Sequence, residues 1–194
     1  MRELALHILD VLENALEAGA TQVDLAIIED LEADLLTITV KDNGRGMDTQ
    51  TANRTLDPFY TTRTTRHVGL GLPLFAAAAR RCEGDLSVDS VPGQGTTVTA
   101  HFRHSHIDRA PLGNMTDTLL AFLLGSRGDM QLHYRHQVGA QAFELDTAAI
   151  QAELGDVPFS HPQVRKWLHE YIAEGEAELA SQERGNHAET QEHR

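Results

Sequence analysis

Two neighbouring runs, residues 22–29 (QVDLAIIE) and 35–42 (LLTITVKD), constrain the fold most strongly. Both are rich in β-branched residues and a short acidic turn joins them, so they predict two adjacent β-strands. The preceding segment, residues 1–18, contains no Gly or Pro and ends at Gly19, which is typical of a helix and its C-cap. The chain therefore opens with a helix and two strands, which indicates a sheet covered by helices.

The later segments extend this pattern. We predict, in chain order, a short helix (48–56), a long polar loop (57–69), a helix (71–84), strands at 85–91 and 95–104, a helix (115–124), a β-hairpin around Val138-Gly139 and a long helix (162–179). This order predicts an α+β fold: a two-layer sandwich with a mixed, mostly antiparallel sheet, helices on one face and a small α/β C-terminal segment. We expect one domain at 1–104, an accessory domain at 105–181 and a disordered tail at 182–194, which is too polar to pack.

Composition excludes several classes of partner. The chain of 194 residues has a formal net charge of −13, which argues against a nucleic acid or an anionic membrane as its main partner. No segment approaches the roughly 18 consecutive apolar residues of a membrane span, and the N-terminus does not resemble a signal peptide. The single cysteine, Cys82, cannot form an internal disulfide. These features predict a cytoplasmic protein.

The charge is unevenly distributed. Residues 45–81 contain six arginines but only two acids, Asp48 and Asp57, within an otherwise acidic chain. A small anionic ligand is the simplest explanation for this local excess of positive charge.

The stretch DNGRGM, residues 42–47, follows the second strand directly. Asn-Gly after a strand usually indicates a hairpin turn. However, the polar segment that follows does not alternate like a second strand, and Gly46 is one glycine more than a two-residue turn requires. The stretch is therefore either a plain turn or part of a ligand site.

The first helix carries a narrow polar stripe. Its members are spaced alternately three and four residues apart and are Glu3, His7, Asp10, Asn14 and Glu17. The stripe is either a solvated face or, because the rest of the helix is apolar, the lining of a cavity. In a cavity, the Asn14 amide oxygen could bind Mg²⁺, and Asp10 could orient or deprotonate a water molecule.

A second glycine cluster, VGLGLPL at residues 68–74, opens the next helix. The chain has neither a GxxxxGK motif nor the third glycine of a dinucleotide fingerprint, so both of those sites are excluded. Free N–H groups at a helix N-terminus, with Arg63 and Arg66 upstream, suit a polyphosphate.

Five motifs in order, DVLENALEAGA, DNGRGM, DPFYTTR, VGLGLPL and GQGTT, closely resemble the ATP-binding domain of the GHKL superfamily. This superfamily includes DNA gyrase, mismatch-repair ATPases, large heat-shock chaperones, histidine kinases and anti-sigma-factor kinases. The resemblance covers residues 1–103 and implies the Bergerat ATP-binding fold, with ATP and Mg²⁺ as cofactors. A free-standing ATP domain most resembles the anti-sigma-factor kinases.

The resemblance also implies roles for individual residues. Asn14 would coordinate Mg²⁺, Asp42 would accept a hydrogen bond from the adenine amino group, Thr96 would reach adenine through water, and Asp10 would act as general base. Residues 57–68 would form a lid, and Arg63 would contact the γ-phosphate. The full set implied for ATP is Asn14, Asp42, Gly44, Gly46, Met47, Phe59, Thr62, Arg63, Val68, Gly69, Leu70, Gly71, Leu72 and Thr96.

Two departures from the family pattern leave the function open. Hydrolysing members carry glutamate where this chain has Asp10, and His67 replaces a glycine of the second glycine cluster. One hypothesis is an ATP- and Mg²⁺-dependent protein kinase (Ser/Thr or His) or slow ATPase in signal transduction, acting on an unidentified phosphoacceptor or protein partner. The other is a non-catalytic, ATP-gated interaction module.

The last helix carries three large apolar residues, Trp167, Tyr171 and Ile172. They form either a surface for homodimers or partners, or a packing contact with the hairpin.

Overall fold

The structure is a computed structural model that describes residues 3–57, 71–126 and 130–192, with the backbone alone for 182–192. Six helices and six strands lie within these ranges. In chain order they are α1 (Leu4–Glu17), β1 (Gln22–Asp30), β2 (Leu35–Asp42), α2 (Thr49–Arg54), α3 (Gly71–Arg81), β3 (Asp85–Val91), β4 (Gly95–Arg103), α4 (Met115–Gly125), β5 (Gln131–Val138), β6 (Gln141–Asp146), α5 (Thr147–Leu154) and α6 (Pro162–Glu192).

The six strands form one sheet in the order β3-β4-β2-β1-β5-β6. β1 and β5 pair in parallel, while every other neighbouring pair is antiparallel. The registers align the apolar positions of adjacent strands, for example Ile27 with Ile38 and Ile38 with Ala100. These side chains are buried, whereas the alternate positions are more exposed, so one face of the sheet forms the core.

Helices cover this apolar face. α1 contacts β2, α3 contacts β3 and β4, and α6 contacts β5 and β6, while α4 touches both α1 and α6. Buried side chains from α1, α3, α4, α6 and the sheet belong to a single hydrophobic cluster. The predicted two-layer α+β fold, with a mixed, mostly antiparallel sheet, is confirmed.

The C-terminal segment joins the same sheet. β5 pairs with β1 along eight residue positions, and β6 pairs with β5. The predicted boundary between residues 104 and 105 therefore does not coincide with a break in the sheet or in the core. Parallel pairing between strands a hundred residues apart leaves no local sequence signal, because it depends on which sheet edge is free.

The last helix is longer than its composition suggests. α6 continues to Glu192, so helical backbone extends through most of the segment that its polarity predicts to be disordered. The first half of α6 is anchored by buried Val164, Leu168 and Ile172. Extending a helix that has already formed avoids the cost of nucleation, which is why a polar segment can remain helical there.

The aromatic residues of α6 pack on the β5–β6 hairpin. The Tyr171 ring lies 5.4 Å from the Phe143 ring, and the Trp167 ring stacks on Tyr171 at the same separation. The Tyr171 hydroxyl donates to the Glu144 carbonyl oxygen at 3.4 Å, and Ile172 is fully buried. The packing alternative therefore accounts for Tyr171 and Ile172, while Trp167 remains 45% exposed.

Within the described ranges, no helix combines the length and the apolar character needed to cross a membrane.

A network of buried charges joins the early and late parts of the chain. The Glu29 carboxylate lies 2.5 Å from His104 Nε2 and 3.0 Å from His136 Nε2. His136 Nδ1 lies 2.9 Å from Oε2 of Glu176, a residue of α6. Oε1 of Glu176 accepts a hydrogen bond from the Tyr134 hydroxyl at 2.7 Å. Both ring nitrogens of His136 face carboxylate oxygens, so both carry hydrogens and the ring is an imidazolium.

Opposing effects set the pKa values in this network. Burial disfavours the charged forms of His136 and Glu29. The hydrogen bonds from His136 to Glu176 and Glu29 outweigh burial and raise the pKa of His136 from 6.5 to about 9. Hydrogen bonds from His104 and His136 likewise overcome burial and lower the pKa of Glu29 to about 2. At neutral pH, Glu29 is therefore ionised and His136 is protonated.

We expect His136→Leu to lower the free energy of unfolding at pH 6.5 by about 3–5 kcal/mol, because it removes the imidazolium that lies between the buried Glu29 carboxylate and the partly buried Glu176 carboxylate. Since the pKa of His136 is raised on folding, its contribution is complete below pH 6.5 and is lost as the pH rises through about 9. Urea denaturation of both proteins between pH 6 and 10 should show the stability difference narrowing as the pH rises.

The matched control is Glu144→Gln, which removes an exposed ion pair with Arg135. Its effect should stay below about 1 kcal/mol at every pH. A stability difference for His136→Leu that is constant across this range would contradict the assigned charge of His136.

Candidate functional site

The ends of three adjacent strands bring polar side chains together. Asp42 at the end of β2 lies opposite Thr96 at the start of β4, and Thr96 lies opposite Ser90 on β3. These positions continue the alternation of Val40, Val98 and Val88, so their side chains share the helix-covered face. The result is a row of carboxylate and hydroxyl groups at one end of the core.

Asp42 is a half-buried acceptor within this row. Burial raises the pKa of its carboxyl group, although hydrogen bonds from the backbone N–H groups of Gly44 and Thr96 partly offset that effect. The Gly44 N–H lies 2.8 Å from Asp42 Oδ1. The carboxylate is thus held in one orientation, where its remaining lone pairs can accept from a ligand.

The DNGRGM loop is fixed to α1 and β1 by hydrogen bonds. Asn43 Oδ1 accepts from the N–H groups of Thr21 and Gln22 at 2.9 and 3.0 Å. The Arg45 N–H donates to the Ala18 carbonyl oxygen at the end of α1, also at 2.9 Å. The next element is α2 and not a strand paired with β2, so the interpretation of DNGRGM as a plain hairpin turn is wrong.

The two glycines of this loop are required by close packing. A Cβ atom on Gly44 would lie 2.8 Å from the Ala18 Cβ and 2.9 Å from Asp42 Oδ1. Gly46 has a φ angle of +63°, and a Cβ atom there would overlap the Val91 carbonyl group. The second glycine, which a simple turn does not need, brings the loop against the end of β3.

Ser90 is a member of the site that sequence reasoning missed. Its hydroxyl oxygen accepts from the Met47 N–H at 2.8 Å and lies 2.9 Å from Thr96 Oγ1. Ser90 therefore links the DNGRGM loop to Thr96. The strand alternation around the turn PGQG, which places Ser90 across from Thr96, is the signal that could have identified it.

The polar stripe of α1 runs from the interior to the surface. His7 is buried, Asp10 and Asn14 are partly buried, and Glu17 is exposed. A Cβ atom on Gly71 would lie 3.1 Å from Asp10 Oδ2, so Asp10 adjoins the first residue of α3. The solvated-face alternative therefore fits the exposed end of the stripe, while Asp10 and Asn14 in its middle are partly shielded from solvent.

The buried His7 ring packs α1 against α3. Its ring stacks on Phe75 of α3 with a centroid separation of 5.0 Å and an interplanar angle of 8°. Burial, together with nearby positive charge that includes Arg81, lowers the pKa of His7 to about 4, so the ring is neutral at pH 7. Among the described residues, its Nδ1 atom has no hydrogen-bond partner.

The structure thus brings together several of the residues that the sequence predicts for the site. Asp42, Gly44, Gly46, Met47 and Thr96 form one group, while Asp10 lies beside Gly71, with Asn14 one turn further along α1 and Leu72 next in α3. The remaining predicted residues lie outside the described ranges and are Phe59, Thr62, Arg63, Val68, Gly69 and Leu70. His67, the departure from the family pattern in the second glycine cluster, also lies outside these ranges.

Comparison with known families agrees with this arrangement. The family described as "Histidine kinase-, DNA gyrase B-, and HSP90-like ATPase" matches residues 2–106, which is more than half of the chain. The chain belongs to this family. The matched range contains α1, the sheet strands β1 to β4 and all the residues of the candidate site. Membership supports ATP binding.

The similar proteins include two bacterial sensor kinases. Sensor protein kinase FleS of Pseudomonas aeruginosa is 42% identical over 92 residues, which make up 47% of this chain and 23% of FleS. Signal transduction histidine-protein kinase AtoS of Escherichia coli is 35% identical over 100 residues, covering 50% of this chain and 16% of AtoS. The similarity thus spans about half of this chain and less than a quarter of either relative.

Solved structures share the fold. The crystal structure of the N-terminal domain of a DNA repair protein superimposes with a TM-score of 0.50 at 16% sequence identity, covering 75% of this chain and 52% of the other. At this level of identity the match shows the fold alone.

We expect Gly46→Ala to destabilise the protein by more than about 1 kcal/mol, because the methyl group adds a clash with the Val91 carbonyl group to the cost of a positive φ angle. Gly93→Ala is the matched control, since Gly93 has a φ angle of +76° with no atom within 4 Å of the added Cβ. Urea denaturation of both variants measures the difference. Equal losses of stability would contradict the close packing of the DNGRGM loop against β3.

Proposed function

We propose that the protein binds ATP with Mg²⁺ between α1, α3 and the Asp42 end of the sheet. It uses the nucleotide as a regulatory protein kinase or slow ATPase that acts on a protein partner. The observation that carries this proposal is the half-buried Asp42 carboxylate, which is held by the Gly44 N–H in a row with Thr96 and Ser90 at the end of the core. Family membership supports the same ligand.

The part of the proposed site next to Asp42 suits a planar base that carries an amino group. In this proposal the planar base would lie against the backbone of Gly44 and Gly46, whose position is fixed by close packing on Ala18 and Val91. Asp42 offers carboxylate oxygens in a fixed orientation to accept from the amino group of adenine. Thr96 lies beside Asp42 and can complete the contact directly or through water.

The phosphate end fits Mg²⁺ and anionic groups. Asp10 and Asn14 are one helical turn apart on α1 and present carboxylate and amide oxygens, the ligand type that Mg²⁺ prefers. Asp10 also adjoins Gly71, where α3 begins, and the N–H groups of Gly71 and Leu72 would donate to phosphate oxygens. In this proposal Asn14 would hold the metal ion.

The bound nucleotide would supply a γ-phosphoryl group for transfer. Asp10 would orient the attacking water or the hydroxyl or imidazole group of the acceptor and would accept its proton. Its side chain is one methylene shorter than glutamate, so the attacking group must approach α1 more closely. Slow turnover is the expected consequence, because small displacements of a catalytic group reduce the rate strongly.

A second candidate function is a non-catalytic module in which ATP binding changes the affinity for a protein partner or for a second copy of this chain. The short reach of Asp10, whose carboxylate is packed against the start of α3, favours this candidate. The two candidates share the nucleotide site and differ only in turnover.

We predict that Mg-ATP raises the melting temperature of the protein and that Asp42→Asn removes the shift. A ligand that binds only the native state stabilises it by about 2.7 kcal/mol at a hundred times its dissociation constant. Asp89→Asn is the matched control, because it makes the same chemical change at an exposed position of β3. A shift that survives Asp42→Asn would place the nucleotide elsewhere.

We predict that Asp10→Asn lowers ATP turnover by about a hundredfold or more, since it removes the proton acceptor, while Mg-ATP still raises the melting temperature. Release of ADP and transfer from γ-labelled ATP to proteins of a cell extract are the two measurements, with Asn14→Ala as the metal-site variant. Background turnover in the unmodified protein, together with a normal thermal shift, would exclude the enzyme and leave the non-catalytic module.

A further inference from the structure

Ser90 stands at the centre of a small hydroxyl network next to the candidate base pocket. Its Oγ atom accepts from the Met47 N–H at 2.8 Å, lies 3.1 Å from the Gly95 carbonyl oxygen and lies 2.9 Å from Thr96 Oγ1. The first two partners belong to backbone segments that border the site. The third is the side chain that neighbours Asp42.

Only one placement of hydrogens satisfies all three contacts. An N–H group can only donate and a carbonyl oxygen can only accept, so the single hydrogen of Ser90 must point to Gly95. The contact between the two hydroxyl groups then requires Thr96 to donate to Ser90. This direction is assigned from the hydrogen-bond network.

The assignment determines what Thr96 presents on its other side. β4 lies between β3 and β2, so Ser90 and Asp42 flank Thr96 on opposite sides. With its hydrogen directed to Ser90, Thr96 Oγ1 offers only lone pairs towards Asp42. The carboxylate oxygens and the threonine oxygen together form a surface that accepts hydrogen bonds.

We propose that Ser90 is a positioning residue that fixes the Thr96 hydroxyl as an acceptor and thereby makes the site prefer a 6-aminopurine to a 6-oxopurine. The amino group of adenine donates to such a surface, whereas the carbonyl oxygen of hypoxanthine or guanine would face lone pairs that repel it. This inference rests on the proposed function, because it refines the specificity of the same nucleotide site.

Without Ser90 the Thr96 hydroxyl can rotate. Its hydrogen then becomes available to a carbonyl oxygen, and the penalty against a 6-oxopurine falls. The loss of Ser90 is therefore expected to change the relative affinity for the two bases. This distinguishes the proposed role from the structural role of Ser90, which is to accept a hydrogen bond from the Met47 N–H. A structural role alone would weaken the binding of both nucleotides equally.

The test compares the affinities of Mg-ATP and Mg-ITP, because hypoxanthine differs from adenine chiefly by an oxygen in place of the 6-amino group. Isothermal titration calorimetry would measure both dissociation constants for the unmodified protein, Ser90→Ala, Ser90→Thr and Ser87→Ala. Ser87 is an exposed serine on the opposite face of β3 and serves as the matched control.

We expect the unmodified protein to prefer ATP and Ser90→Ala to reduce that preference by roughly 3- to 10-fold, the value of one hydrogen bond. Ser90→Thr retains the hydroxyl group and should restore the preference, and Ser87→Ala should leave it unchanged. Thr96→Val should reduce the preference as well, and its combination with Ser90→Ala should add no further loss, because Ser90 acts through Thr96.

An unchanged ratio of the two affinities in Ser90→Ala, with ATP binding retained or weakened equally for both nucleotides, would overturn this inference and leave the proposed function intact. Failure of the unmodified protein to bind either nucleotide would overturn the proposed function itself. If Ser90→Ala does not fold, Ser90→Cys carries the same comparison, since a thiol has a similar size but its sulfur is only a weak acceptor for the Thr96 hydroxyl.

Discussion

The register of β2 between β1 and β4 determines the geometry of the candidate site. β2 is hydrogen-bonded on both sides, and its alternating Leu36, Ile38 and Val40 side chains fill the core beneath the helices. This alternation leaves Asp42 on the same face, at the point where the apolar layer ends. A shift of one residue would move every one of these side chains to the other face, so the burial of the core also fixes the position of Asp42.

The same sheet connects the site to the C-terminal segment. β5 pairs with β1, and the buried Glu29–His136–Glu176 network links β1 to α6. The carbonyl oxygens of residues 111 and 112 accept hydrogen bonds from the N–H groups of Leu4 and Ala5 at the start of α1. The helix that carries Asp10 and Asn14 is thus held at its N-terminus by the segment that leads to α4, so the two parts of the chain share one set of packing contacts.

Local sequence patterns predicted most of the fold. Alternation identified β1 and β2, the glycines and PGQG turn marked the boundaries of α3, β3 and β4, and the order of five motifs identified the family. Residues such as Asp42, Gly44 and Gly46 could be named because each belongs to a short contiguous motif.

The features that the sequence did not reveal depend on contacts between distant residues. Pairing of β5 with β1, burial of Glu29 between two histidines and the link from Ser90 to Met47 involve side chains and strands far apart in the chain. An isolated Glu in a strand or Ser near a turn carries no local signal of burial. Polarity predicts a disordered tail from residue 182, whereas the backbone of α6 continues to Glu192, because an anchored helix can extend through polar residues.

The proposed function requires that DNGRGM, Thr96 and α1 together hold a nucleotide. A crystal structure of the protein with Mg²⁺ and a non-hydrolysable ATP analogue would test this requirement. We expect the adenine amino group within hydrogen-bond distance of the Asp42 carboxylate, the ring against Gly44 and Gly46, and the metal ion bound by the Asn14 amide oxygen. An analogue bound with its base away from Asp42, or a metal ion that does not contact Asn14, would contradict it.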